Sequence, residues 1–479
     1  MVMGELTQDT ELLVIGAGPG GYAAAFRAAD LGLEVTLVDT APRPGGVCLY
    51  RGCIPSKTFL HLAELVLDAA AASSRGVAFG APRIDPVGLR RWKAEVIEKM
   101  ASGLAALARR RNVQLIRGRA EFESSETVIL HEAEIRRIRF RHAVIAAGSK
   151  PIALPGTEFR PGSRIMSSTG ALALEEIPET LLVIGGGYVG LELGMVYAAF
   201  GSRVTLVEQG GRILGGVDRD LVAPLRERLG GLFAAIHEET RVIALREEEG
   251  AVLVELAGRG GTVSERFSRV LVAVGRRPAT DTLGLERTRV ERDARGFIRV
   301  DDRLRTADPR ISAVGDAVGG LMLAHKASAE GKTAAEAIAG KAARFDARAV
   351  PAVVYTDPQV AWCGLTEEQA ERQGIPVRVT RFPWKFSGRA VTLGAPEGLT
   401  KLIADPGTGR ILGMGVCGRH AEGLIAEGVL AVEMGALAED LAAILHPHPT
   451  LSETEGEAAE LFFGNAIHLV GKPPPAASR

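Results

Sequence analysis

The stretch "GGVCLYRGCIPSK" over residues 45–57 sets Cys48 and Cys53 among glycines and a proline, in a chain of 479 residues with only four cysteines. Two thiols so placed can cycle between dithiol and disulfide. As a structural staple the pair would do little, because closing so short a loop stabilises a fold by roughly 2 kcal/mol. The pair therefore reads as catalytic. On a regular helix, residues i and i+5 lie beyond the usual Cα separation of a disulfide, about 4.4–6.8 Å. The backbone must bend between them, and Gly52 and Pro55 suit such a bend.

What this pair could exchange electrons with is written elsewhere in the chain. Residues 11–39 read "ELLVIGAGPGGYAAAFRAADLGLEVTLVD", and residues 180–208 read "TLLVIGGGYVGLELGMVYAAFGSRVTLVE". Each runs from an apolar strand through G-x-G-x-x-G into a helix, then a second strand closed by an acid. The residues are Gly16, Gly18, Gly21 and Asp39 in the first copy, and Gly185, Gly187, Gly190 and Glu208 in the second. The first glycine makes the tight turn, the second lets backbone amides approach a pyrophosphate, and the third permits close helix–strand packing. The diphosphate then sits at a helix N-terminus and the acid takes an adenosine ribose.

Two complete copies predict two bound dinucleotides. Asp39 is followed within ten residues by Cys48, so the first ligand neighbours the thiols, which points to a flavin. The second copy would hold a nicotinamide nucleotide. Glu208 favours NAD, since a carboxylate there repels a 2′-phosphate, with Arg203 and Arg212 nearby in sequence as a counterweight.

The surrounding elements repeat as well. "HAVIAAGSKP" (142–151) and "VLVAVGRRP" (270–278) are each an apolar strand ending at glycine, then polar residues and proline. The second nucleotide fold thus reads as an insertion into the first. "ISAVGDAVGG" (311–320) is a further buried strand with Asp316 at its carboxyl end, the edge at which open α/β sheets bind ligands. From about Val350 the chain changes to strands joined by Asp-Pro and Gly-rich turns, with helical segments such as "AEGLIAEGVLAVEMG". Cys363 and Cys417 lie in apolar strands and read as small core residues. Residues 81–111 read as a helix with a basic end and no assigned chemistry, and "GKPPPAASR" reads as a frayed tail.

Composition bounds the rest. A chain this long forms two to four domains. At 46% hydrophobic and 24% charged residues it is an ordinary globular composition. A net charge of -1 gives no general pull toward nucleic acid or anionic membrane. No apolar run is long enough to insert across a bilayer, and "MVMGELTQDT" has neither a signal peptide nor a transit peptide pattern. Four cysteines do not suggest a secreted disulfide framework, so a cytoplasmic location is expected.

Together these features resemble the FAD-dependent pyridine nucleotide–disulfide oxidoreductases, over nearly the whole chain. The landmarks are GGVCLYRGCIPSK, GGGYVGLELG, AVGRRP, AVGDAVGGLMLAHKASAEG, YTDPQVAWCGLT and HPHPTLSE, in family order. The IPSK ending and HPHPTLSE are most specific to the lipoamide branch. The resemblance implies an α/β fold: two Rossmann-like dinucleotide-binding domains, the NAD domain inserted in the FAD domain, and a C-terminal α+β dimerisation domain. The implied boundaries are 1–150 and 281–349 for FAD, 151–280 for NAD and 350–479 for the interface. The implied activity is oxidation of protein-bound dihydrolipoamide to lipoamide with NAD+ as acceptor, within 2-oxo acid dehydrogenase complexes. The implied partners are a second copy of the chain, lipoylated proteins and the acyltransferase core. A glutathione reductase-like activity is the nearest alternative, and it prefers basic residues where Glu208 stands.

Carried over by position, Cys48 is the outer thiol that meets substrate, and Cys53 lies against the flavin in a charge-transfer complex. Lys57 and Glu192 form an ion pair near the flavin, and Asp316 binds the ribitol. Met322, Leu323, Ala324 and His325 line the isoalloxazine. Further cofactor contacts are implied at Gly46, Ala120, Gly148, Val242 and Gly275. Free cysteine titrates near 8.5, so thiol exchange needs a base. The resemblance assigns that role to His448, oriented by Glu453 and reaching into the other subunit's site, with His446 as the competing candidate. Prolines 447 and 449 exclude a helix there. Two places depart from the family pattern: Tyr50-Arg51 stands where Asn-Val is usual, and Pro447 where alanine is common. Arg51 is close enough to the thiols to alter their pKa or the choice of partner.

Overall fold

The computed structural model describes residues 7–470; residues 1–6 and the tail "GKPPPAASR", expected to fray, lie outside them. Strand Thr7–Ile15 carries a run of buried apolar residues, Leu12 to Ile15, as a strand covered on both faces must. It pairs in parallel with Val35–Asp39 on one side and Arg137–Ile145 on the other. Gln114–Arg117 and Ile311–Ala313 extend this seven-stranded sheet, which antiparallel Arg119–Ser124 and Thr127–His131 complete.

A second, five-stranded sheet is parallel throughout, in the spatial order Ala235–His237, Arg203–Val207, Thr180–Ile184, Arg269–Val272, Ile165–Met166. All of its strands fall in sequence between Arg137–Ile145 and Ile311–Ala313, which are neighbours in the first sheet. The second nucleotide fold is therefore inserted into the first. The two repeated segments turn out to pair with each other: Ser149–Pro151 runs antiparallel to Arg276–Pro278. The chain leaves and re-enters the first fold through one short ribbon.

The third sheet is antiparallel and five-stranded, ordered Ala352–Val354, Gln359–Gly364, Ile411–Gly418, Leu399–Ala404, Arg378–Pro383. Helices Ala421–Met434 and Glu453–Phe463 pack on it. Cys363 and Cys417 are buried in this region, and burial pushes both thiols up, Cys363 to about 12. They are core residues, as expected. The basic-ended helix runs Pro86–Arg110, five residues later than the start read from sequence. Asp85 accepts a hydrogen bond from the Val87 amide and Pro86 follows it, so the first turn can begin only there.

One core joins the helix that carries the thiols to the second and third sheets. Phe59, Leu60 and Ala63 pack in the same cluster as Leu181, Val183 and Leu191 of the inserted fold and Val354, Val360 and Cys417 of the third sheet. A buried cation joins the inserted fold to the third sheet. Lys401 is fully buried, with Nζ 2.8 Å from Asp218, 3.0 Å from Asp220 and 2.6 Å from Glu367. Nothing in the sequence pattern marks Lys401. Replacing it by methionine leaves buried Asp218 without its counter-charge and leaves Asp220 and Glu367 to Arg381 alone, and Lys401→Met is expected to destabilise the protein by about 3–5 kcal/mol. Urea unfolding measures this; a loss below about 1 kcal/mol would show that water already carries these charges.

Candidate active site

The bend required between the two cysteines is present. Helix Gly46–Arg51 ends at Gly52, and helix Cys53–Ala72 starts at once. A Cβ on Gly52 would lie 2.9 Å from the Val47 carbonyl oxygen, so only glycine passes the corner without displacing backbone. Cys48 and Cys53 are free, half-buried thiols that lie close enough to shift one another's titration. That proximity, with Lys57 nearby, draws the Cys53 thiol down to about 7. The same proximity and burial raise Cys48 above the ordinary thiol value. The pair is thus polarised: Cys53 holds the negative charge, and a proton on Cys48 needs a separate base.

Lys57 lies one turn beyond Cys53, and its Nζ is 2.8 Å from Glu192 Oε2. Glu192 sits in the buried face of helix Tyr188–Ala199, and its other oxygen accepts the Tyr355 amide at 3.0 Å. The Lys57 ammonium also lies 4.5 Å from the centre of the Tyr355 ring. Three elements therefore hold one ion pair beside the thiols.

Gly16, Gly18, Asp39, Gly46, Cys48, Cys53, Lys57, Gly148, Glu192, Asp316, Met322 and Ala324 line a single cleft. Gly16 adopts φ +99°, and a Cβ there would be 2.3 Å from the Ala146 carbonyl oxygen. Gly21 lies behind the cleft, where a Cβ would overlap the Gly16 carbonyl; this is the close helix–strand packing expected of it. Helix Pro19–Asp30 has no side-chain cap, so its first amides are available to a diphosphate. Asp39 accepts the Ala17 amide at 2.6 Å and the Ala41 amide at 2.7 Å, which fixes the carboxylate at the rim with lone pairs to spare. These features fit a dinucleotide laid from the helix end toward the thiols.

Three of the anticipated positions lie elsewhere. Ala120 is buried in the core with Phe122 and Leu130, because its strand turns it inward. Leu323 precedes the helix that begins at Ala324 and does not line the cleft. His325 faces outward, with its Nε2 2.8 Å from the Pro351 carbonyl oxygen. The cleft also contains residues that sequence reasoning missed. Tyr188 fills a variable position of the second glycine motif, and Arg276 follows the glycine of "VLVAVGRRP". Arg276 donates to the Ser149 hydroxyl and carbonyl, both at 2.7 Å, and Ser149 in turn bonds Asp316. The polar pair after each repeated glycine was the available signal, but its partner across the ribbon was invisible.

The second glycine motif builds a separate pocket lined by Gly187, Glu208 and Arg212. A Cβ on Gly187 would meet nothing within 4 Å, so this backbone is open to a close ligand; one on Gly190 would overlap Gly185. Helix Tyr188–Ala199 likewise starts without a side-chain cap. Glu208 accepts the Gly186 amide at 2.7 Å and the Gly210 amide at 2.5 Å. Gly185 and Gly275 take positive φ at the turns that end their strands, while Val242, anticipated as a cofactor contact, lines neither pocket: its strand, Arg241–Glu248, joins Ala251–Gly258 and Gly261–Phe267 in a three-stranded antiparallel sheet and packs it against the core there. Arg203 stands at the far end of the strand from Glu208. Arg212 is held by Glu368 at 2.7 Å. Neither arginine offsets Glu208, which strengthens the expectation of NAD. Glu208→Ala is expected to weaken NAD binding and narrow the preference over NADP. Equal kcat/KM for both nucleotides in the unaltered protein would refute that reading.

His448 does not line the cleft of its own chain, nor does any other histidine among the described residues. Its Nδ1 is 2.8 Å from Glu453 Oε1, and Glu453 Oε2 accepts the Thr450 amide at 2.7 Å. With Nδ1 so engaged, the lone pair stands on Nε2, and the side chain is 77% exposed. His446 differs: its side chain is 9% exposed and its Nε2 is 3.1 Å from Glu427.

Comparison with known proteins agrees with this geometry. The family described as pyridine nucleotide-disulphide oxidoreductase matches residues 10–331, and its dimerisation domain matches residues 350–459. Dihydrolipoyl dehydrogenase of Vibrio parahaemolyticus is 43% identical over 466 residues, 96% of this chain and 97% of that protein. The protein of the same name from Geobacillus stearothermophilus is 43% identical over 473 residues, 98% and 100% of the two chains. Among solved structures, LpdA of Mycobacterium tuberculosis superposes with a TM-score of 0.86 at 25% identity, covering 94% of this chain and 99% of its own. A HOCl-induced flavoprotein disulfide reductase from Escherichia coli gives 0.83 at 28% identity, covering 94% and 99%. With both glycine motifs, the dithiol and the third sheet accounted for, the chain belongs to the pyridine nucleotide–disulphide oxidoreductases, as an enzyme that uses FAD and NAD.

Proposed function

We propose that the chain oxidises dihydrolipoamide carried on lipoylated proteins, as the flavoprotein of 2-oxo acid dehydrogenase complexes, and that it works as a homodimer. One observation carries the reading: the thiols and the exposed His448–Glu453 pair are both built for exchange, yet one chain keeps them apart. A second copy supplies what the cleft lacks. Exposed Leu430, Met434, Ile444 and Leu445 near the His448 loop support such a contact. We divide the chain into an FAD unit of 1–150 and 281–349, an NAD unit of 151–280 and an interface unit of 350–479. The strand pairings support this division. No helix among the described residues is long and apolar enough to cross a membrane. Sparse cysteine use supports a cytoplasmic setting.

In this reading the working enzyme meets substrate with Cys48 and Cys53 joined as a disulfide. The partner's His448 takes a proton from one substrate thiol, and the thiolate attacks Cys48 sulfur. The Cys48–Cys53 bond breaks, and Cys53, the thiol with the lowered pKa, leaves as thiolate. The second substrate thiol then displaces Cys48, which leaves with the proton returned by His448; His448 takes the second thiol's proton in exchange, and lipoamide is released. FAD, which the cleft with Gly16, Gly18 and Asp39 would hold, would supply the two-electron acceptor between the dithiol and NAD+. The Lys57–Glu192 pair holds a fixed positive charge beside that exchange. The test is an NAD+-dependent assay with dihydrolipoamide, run beside NADPH with glutathione disulfide. Turnover only in the second assay would replace this reading with a glutathione reductase-like one.

A further inference from the structure

Two clusters among the described residues hold three side chains whose metal-ligating atoms lie within 4.8 Å of one another. One is Asp218, Asp220 and Glu367, and it already contains a cation, the ammonium of Lys401. The other is Glu427, His446 and Glu455, and no lysine or arginine pairs with any of its members among the described residues. Glu455 is fully buried, neither of its carboxylate oxygens has a hydrogen-bond partner of ordinary geometry, and burial beside the Glu427 carboxylate pushes its carboxyl up to about 10. A buried carboxylate left alone is strongly unfavourable, and such groups are rare in folded proteins. The same chain therefore neutralises one buried acid cluster with its own lysine and leaves a second without a counter-charge.

The geometry of the second cluster suits an ion. Glu427 comes from helix Ala421–Met434, His446 from the following loop, and Glu455 from the first turn of helix Glu453–Phe463. His446 Nε2 and Glu427 Oε1 are 3.1 Å apart. Two ligands on one ion keep such a separation when their bonds are about 2.0–2.2 Å long. A Cβ at position 456 would lie 3.1 Å from His446 Nδ1, so Gly456 lets the ring lie flat against the helix. Glu427 retains 27% of its side-chain exposure and leaves a way in from solvent. An imidazole with two carboxylates suits a borderline divalent ion, whereas calcium and magnesium prefer oxygen alone.

We propose that Glu427, His446 and Glu455 bind a divalent cation of the Zn2+ class, with water completing the coordination. The ion would fasten two helices to the loop that carries His448. The site stands apart from the thiol cleft and does not depend on the substrate proposed above.

The experiment uses FAD-loaded protein carrying Cys48→Ser and Cys53→Ser, so that neither accessible thiol can take the metal. Equilibration with Zn2+ and metal analysis are expected to find one tightly held ion per chain, and Co2+ in its place to give visible absorption. Glu455→Gln and His446→Asn in that background are each expected to weaken Zn2+ binding by about 100-fold or more while FAD content stays unchanged. His448→Gln is expected to keep the ion, which separates this site from the exposed His448–Glu453 pair. Equal Zn2+ affinity in the parent and in Glu455→Gln would overturn the proposal. So would an infrared carboxylic acid band that persists under saturating Zn2+ and vanishes in Glu455→Gln, because Glu455 would then hold a proton in place of the ion.

Discussion

His448→Gln is expected to slow dihydrolipoamide oxidation by roughly 10²–10⁴-fold, the usual scale for a lost general base, with flavin content unchanged. Glutamine keeps a similar shape and can still hydrogen-bond to Glu453, so the loop is expected to stay folded. What it loses is the Nε2 lone pair. The need for that lone pair follows from the reaction, since a substrate thiol must lose its proton before it can attack the Cys48 sulfur. Mixing tests where the base acts. A Cys48→Ser protomer and a His448→Gln protomer, each inactive, are expected to regain about a quarter of wild-type activity after random reassociation, because a two-fold dimer of the two kinds has one complete site. Inactive mixtures of folded, FAD-loaded parents would mean either that the base serves its own chain or that His448 is not the base.

Replacing either thiol is expected to abolish disulfide exchange, but the two variants are expected to differ in colour. In FAD-loaded Cys48→Ser, Cys53 has no disulfide partner, and a serine hydroxyl still stands ready to donate to its thiolate. A long-wavelength absorption band is expected without any reductant. In the unaltered protein Cys48 and then Lys57 draw the Cys53 thiol down, and Lys57 remains in this variant, so the band is expected to fade as pH falls. The sign follows from the lowered pKa: the charged form is the deprotonated one, and acid removes it. Cys53→Ser is expected to show no such band, because it removes the thiol assigned to lie against the flavin. Indistinguishable spectra in the two variants would mean that the inner and outer thiols are wrongly assigned.

Much of the site was legible because its parts are local. Each glycine motif carries its turn, its amide cradle and its acid within one strand–helix–strand unit, and backbone sterics enforce those residue types at those spacings. The bend at Gly52 was legible for the same reason, and so was the Glu453 partner of His448, five residues along. Ala120, Leu323 and His325 were placed at the cleft by motif position alone. A strand's alternation and a helix's first turn then aimed their side chains elsewhere.

The sequence by itself determined two dinucleotide folds, one nested in the other, a cysteine pair placed beside the first of them, and a histidine in a stretch that its prolines keep out of a helix. Each of these is set by spacing along the chain, where covalent geometry leaves few choices. Only the tertiary structure decided the contacts between distant segments. Lys57 met Glu192, Arg212 was taken by Glu368 and so kept from offsetting Glu208, and Lys401 was buried among three acids. It also drew His446 away to Glu427 and left Glu455 buried without a partner. Charges far apart in sequence select their partners by desolvation and packing, and those energies exist only once the inserted fold and the third sheet close on the thiol helix.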